Sequence, residues 1–68
     1  MSYTEMYRDA FDFHRERTRH LSNDDAFWNA TVDRMTELSA KYSANPFMME
    51  MLTVVYGELE RQVLAERR

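Results

Sequence analysis

Few side chains in this sequence are of a kind that does chemistry, and their spacing limits what they can do together. His14 and His20 are six residues apart; on one helix they point to different sides and cannot share a metal ion. His14 falls among Tyr7, Phe11 and Phe13, so it reads as a hydrogen-bonded structural histidine, and His20 reads as part of a helix end. Asp9, Asp12 and Glu16 recur at steps of three and four, a spacing that could present carboxylates to a divalent cation. The ordinary alternative is a solvated face with Arg8 and Asp12, Asp12 and Arg15, or Glu16 and Arg19 as surface pairs. We expect the pairs, and no metal site.

Nucleophilic chemistry has still less to work with. Ser22, Ser39 and Ser43 supply hydroxyls, but none lies in a glycine-flanked elbow that would expose it for attack. The single glycine, Gly57, cannot build a loop that cradles phosphate. The sequence has no cysteine, which excludes disulfides, thiolate zinc sites, iron–sulfur clusters and a cysteine nucleophile. No Glu-x-x-His occurs, so the di-iron use of a helical bundle is also out. The expectation is a protein that is not an enzyme, with no cofactor, no catalytic residue and no small-molecule substrate.

Arg15, Arg17 and Arg19, beside Phe13 and His14, are the one feature that favours nucleic acid. Residues two apart do not all share a helical face, Glu16 dilutes the field, and the net charge is −3. A nucleic-acid-associated accessory protein using these three arginines is therefore the alternative reading, behind pairing within the surface and complementation of a helix dipole. Eight of the nine cations are arginine, whose planar fork suits carboxylate pairing.

The elements that position these residues are helical. One glycine and one proline in 68 residues leave little punctuation for hairpins, and apolar residues recur at steps of three and four almost throughout. The first helix is expected over about 3–19, capped by Ser2 with Glu5 three residues on. Tyr3, Met6, Tyr7, Ala10, Phe13, His14 and Arg17 mark its face. The second is expected over about 23–42, with Ser22 and Asp25 as a weaker start signal. Trp28, Thr31, Met35, Leu38 and Tyr42 form its seam, widened by Phe27 and Val32, and Glu37 pairs with Lys41 outside. The third is expected over about 46–66, started by Asn45 as cap and Pro46 at the first helical position. Met48, Leu52, Val55, Leu59 and Val63, with Gln62, make one row on it, and Phe47, Met51 and Val54 a second; Met49 and Tyr56 extend the band. Gly57, inside this helix, is expected to admit a neighbouring helix closely. Arg67 and Arg68 read as helix-end charges. Short connections then give an all-α, antiparallel up-down-up three-helix bundle as a single domain over residues 1–68.

Size sharpens the functional reading. At 8.2 kDa the folded chain should expose about 4,500 Å², with only roughly 60% of its extended surface buried. Burial and ordering then nearly cancel, and another chain is an obvious source of further stability. The third helix has more apolar surface than one core face requires. Two readings account for it: a dimer interface, in which Met and aromatic residues are common, or a central helix touching both neighbours. The candidate interaction surface is Phe47, Met48, Met51, Val54 and Val55, and the expected partner is a second copy or another protein. Glu5, Arg8 and Asp9 interrupt the first ten residues, so no signal peptide is expected there. No apolar window is long enough for a membrane span, which points to the cytoplasm.

The run Phe27-Trp28-Asn29, then Met35, Leu38 and Lys41-Tyr42, then Pro46-Phe47 and Met51 to Arg61 resembles small uncharacterised helical proteins of phage-like or mobile elements in Gram-positive bacteria. The resemblance covers about residues 10–62. It implies a bacterial, cytoplasmic setting and an accessory role, and carries over no functional residue.

Overall fold

Local chemistry at the helix ends sets the three elements. The computed structural model describes residues 2–66, so Met1, Arg67 and Arg68, and the expectation placed on the last two, lie outside it. α1 spans Tyr3–Arg19, α2 spans Asp25–Lys41 and α3 spans Pro46–Glu66. Ser2 caps α1, its Oγ accepting from the Glu5 amide at 3.2 Å. At α3, Asn45 Oδ1 accepts from the amides of Phe47 at 2.9 Å and Met48 at 3.3 Å, and Pro46 occupies the position where a missing N–H costs nothing.

The start of α2 differs from expectation. Asp24, not Ser22, is the cap: its carboxylate accepts from the Phe27 amide at 2.8 Å, while Ser22 Oγ accepts from the Asp24 amide one step upstream at 3.3 Å. A carboxylate at this place both satisfies a free amide and meets the positive end of the helix dipole. The helix accordingly begins two residues later than the 23–42 reading and ends one earlier, with Tyr42 as its C-cap. Ser43 and Ala44 then take left-handed backbone angles, φ 53° and 56°. The Ala44 amide donates back to the Ser39 carbonyl at 2.8 Å, satisfying an acceptor at the end of α2.

The helices pack as an up-down-up bundle of 40 × 18 × 17 Å. Asp9 of α1 meets Lys41 and Tyr42 at the end of α2, and Arg17 lies over Phe27 at its start, so α1 and α2 run in opposite directions. Tyr3 and Tyr7 meet Phe47, and His14 meets Gln62, so α1 and α3 run parallel. The core has two parts. Met6, Ala10, Phe13, Leu38, Tyr42, Met48 and Leu52 fill one end; Phe27, Leu59 and Val63 fill the other. Val55 packs against both. The accessible surface is 4752 Å², slightly above the roughly 4,500 Å² that size alone predicts.

Several side chains sit differently from the sequence reading. Lys41 crosses to Asp9 instead of pairing with Glu37, which binds Arg34 at 2.8 Å. Tyr3, Tyr7 and Phe11 are exposed, flanking the α1 core face and not filling it. Among the described residues, and setting aside its chain neighbours and the adjacent backbone of α3, nothing comes within 4 Å of where a Cβ on Gly57 would stand. The glycine therefore admits no neighbouring helix of its own bundle.

Candidate interaction surface

α3 has a face turned from the core, and its residues follow from helical geometry. Met48, Leu52, Leu59 and Val63 are its buried row. A helix turns by about 100° per residue, so Phe47 and Val54, seven positions apart, stand within about 20° of each other on the side of α3 turned away from that row. Val54 is 67% exposed. Of the five residues expected to form an interaction surface, Met48 is a correction: it is 0% exposed, wholly within the core, because its place in the row is the one that points between α1 and α2.

The other four lie together. Phe47, Met51, Val54 and Val55 line an open apolar groove of about 350 Å³ between α1 and α3, with Phe11 on its α1 side and Glu50 at its rim. Phe47 is gripped edge-on by Tyr3 at 5.3 Å and Tyr7 at 5.4 Å, a preferred arrangement of aromatic quadrupoles. Phe11 carries the Arg15 guanidinium 5.5 Å above its ring. A second groove of about 400 Å³ opens on the far side of α3, where Met49, Thr53 and Tyr56 face Val32 and Met35 of α2. Sequence reasoning did not assemble it; the signal was present in Val32, Met49 and Tyr56, each of which widens an apolar stripe beyond what a core needs. Trp28 closes the end of this side, half-buried, with its ring 4.8 Å from Phe27 and 5.3 Å from Tyr56 and its indole N–H donating to Asn23 Oδ1 at 3.3 Å.

Polar contacts hold the walls of the grooves in place. His14 Nε2 and Gln62 Oε1 are 3.0 Å apart, and Thr18 Oγ1 donates to the same Gln62 oxygen at 3.4 Å, tying α1 to α3 beside the first groove. His14 is thus a structural side chain. At the other end Asp9 Oδ2 accepts from Lys41 Nζ at 2.7 Å and from the Tyr42 hydroxyl at 2.5 Å. These bonds, Lys41's foremost, hold the Asp9 carboxyl below its ordinary value, and Asp9 in turn pushes both Lys41 and Tyr42 up. Asp9 is therefore occupied by a cross-helix tether. Asp12 pairs with Arg15 at 3.8 Å and Glu16 with Arg17 at 3.3 Å. Among the described residues no three His, Asp or Glu side chains converge as metal ligands would.

The three arginines of the nucleic-acid reading occupy unlike places. Arg15 and Arg19 are exposed, but Arg17 is buried, with its Nε unpartnered and its guanidinium 5.5 Å over the Phe27 ring. They do not form one basic surface. Among the described residues no helix is long and apolar enough to cross a membrane. Compared with family models, curated proteins and solved structures, the chain matches none.

Proposed function

We propose that this chain is a small non-catalytic interaction module that works by self-association, with the outer side of α3 and the groove beside it as the contact surface. One observation carries the reading: Phe47, Met51, Val54 and Val55 line a single open groove beyond the fully buried row of α3, with Phe47, Met51 and Val55 only partly covered by the core and Val54 exposed. Apolar surface in one continuous strip is costly to leave in water and is typical of a surface that another chain covers. Small size adds to the case. A 68-residue chain without crosslinks has little stability in reserve, and a partner that binds only the folded form adds to it by mass action. The resemblance over about residues 10–62 supports a bacterial, cytoplasmic setting.

A dilution series followed by amide NMR tests the proposal. From millimolar to low micromolar protein, the resonances of Glu50, Met51 and Val54 should move together along one binding curve. Those of Asp33 and Glu37, on the outer side of α2, should stay fixed. Spectra that do not change with concentration would refute self-association.

A further inference from the structure

The exposed side of α3 carries a pattern that is complementary to itself. Phe47, Glu50, Val54, Gly57, Arg61 and Leu64 follow one another at alternating steps of three and four, the spacing that keeps residues on one stripe of a helix. At about 100° per residue the stripe runs along the side of α3 opposite Met48, Leu52, Leu59 and Val63, all buried. Val54 and Leu64 are exposed large apolar side chains. Gly57 stands between them; beyond its chain neighbours and the adjacent backbone of α3, none of the described residues comes within 4 Å of where a Cβ would be. Glycine is the poorest helix former after proline, and packing within the bundle gives no reason for it here.

We infer that α3 pairs with α3 of a second copy, antiparallel, about a two-fold axis that passes between Val55 and Tyr56. The inference rests on the self-association proposed above and specifies its geometry. In this register Val54 faces the partner's Gly57, Glu50 faces the partner's Arg61, and Phe47 faces the partner's Leu64. Each contact occurs twice, as a two-fold interface requires. The Val54 side chain enters the space that the missing side chain of glycine leaves, which lets the two helices approach. Opposite charges flank this centre on both sides. At each end a leucine reaches the aromatic cluster of Phe47 with Tyr3 and Tyr7, whose rings already lie edge-on at 5.3 and 5.4 Å. Arg61 binds Glu58 of its own helix at 2.8 Å, and its five donors leave capacity for a second carboxylate.

Competing alignments are worse. A parallel pair sets Glu50 against the partner's Glu50 and Arg61 against the partner's Arg61, two like-charge contacts. Sliding the antiparallel pair by one heptad sets Glu50 against the partner's Val54, or Arg61 against the partner's Gly57, and leaves the charges unmatched. Charged residues in a helix seam are known to select register and orientation in this way.

Sedimentation equilibrium on the full chain and its variants, at low salt so that screening is weak, tests the register. Glu50→Arg and Arg61→Glu should each weaken dimerisation about tenfold, since two contacts per dimer turn from attraction to repulsion. The double variant carrying both changes should return to within about threefold of the original. Gly57→Leu should keep or raise helicity and the unfolding midpoint of the monomer, measured by circular dichroism, while abolishing the dimer. A dimer indifferent to all three changes would overturn this register and leave self-association standing. A folded monomer at every concentration would overturn both.

Discussion

Replacing Gly57 by alanine isolates what this residue does for the monomer. Gly57 lies inside α3, has no positive φ, and an added methyl meets nothing within 4 Å. The substitution thus has the helix-propensity difference to gain, about 0.8–1.0 kcal/mol, part of it from the reduced freedom of the unfolded chain, and no clash to offset it. Against a total of roughly 3–10 kcal/mol for a domain of this size, that is a large increment. It corresponds to about 4–8 °C in Tm. Urea unfolding at high dilution, read by helical circular dichroism and by Trp28 fluorescence, should show the midpoint rising by about 0.3–1 M with an unchanged slope. A lower midpoint for Gly57→Ala would mean that a neighbour within the bundle does press on this position, and the intermolecular role of the glycine would lose its footing.

The start of α2 and the Asp9 tether give two further tests. Asp24→Ala should cost about 1 kcal/mol of stability and Ser22→Ala well under half of that; equal losses in urea titrations would contradict Asp24 as the cap. Asp9 has a carboxyl held low in the folded state by Lys41 and then Tyr42, so its contribution is complete above the unfolded value near about 3.9 and is lost as pH falls through the lower folded value. Asp9→Asn should accordingly be less stable than the native chain at pH near neutrality and should converge with it in strong acid. Unfolding curves that keep a constant separation down the whole acid range would refute the tether. Lys41 and Tyr42, both shifted up, contribute below their unfolded values and lose that contribution as pH rises through the folded ones.

Signals that act within one or two turns of helix are readable from sequence, and those that act between helices are not. Ser2 and Asn45 cap where their spacing predicts because the bonds they make reach two or three residues along the chain. At α2 two acceptors, Ser22 and Asp24, lie close together, and each takes a different amide: Ser22 that of Asp24, before the helix, and Asp24 that of Phe27, inside its first turn. Lys41 has a partner four residues back on its own helix and another 32 residues away on α1; the closer approach in space decides for Asp9. Nothing in the spacing of α1 and α3 points to His14 meeting Gln62. The candidate interaction surface is legible as an apolar surplus but not as a face. Phe47, Met48 and Met49 are all apolar, and a turn of about 100° per residue is enough to put Met48 in the core while its neighbours border the two grooves.

Self-association through α3 is the proposal on which the function rests. Sedimentation equilibrium of the unmodified protein over a wide concentration range measures that directly. The expected result is a reversible monomer–dimer equilibrium, with an average mass rising from 8.2 kDa toward twice that value, and a marked shift toward monomer in Val54→Glu but not in Arg19→Glu. A chain that stays folded at 8.2 kDa throughout would contradict it.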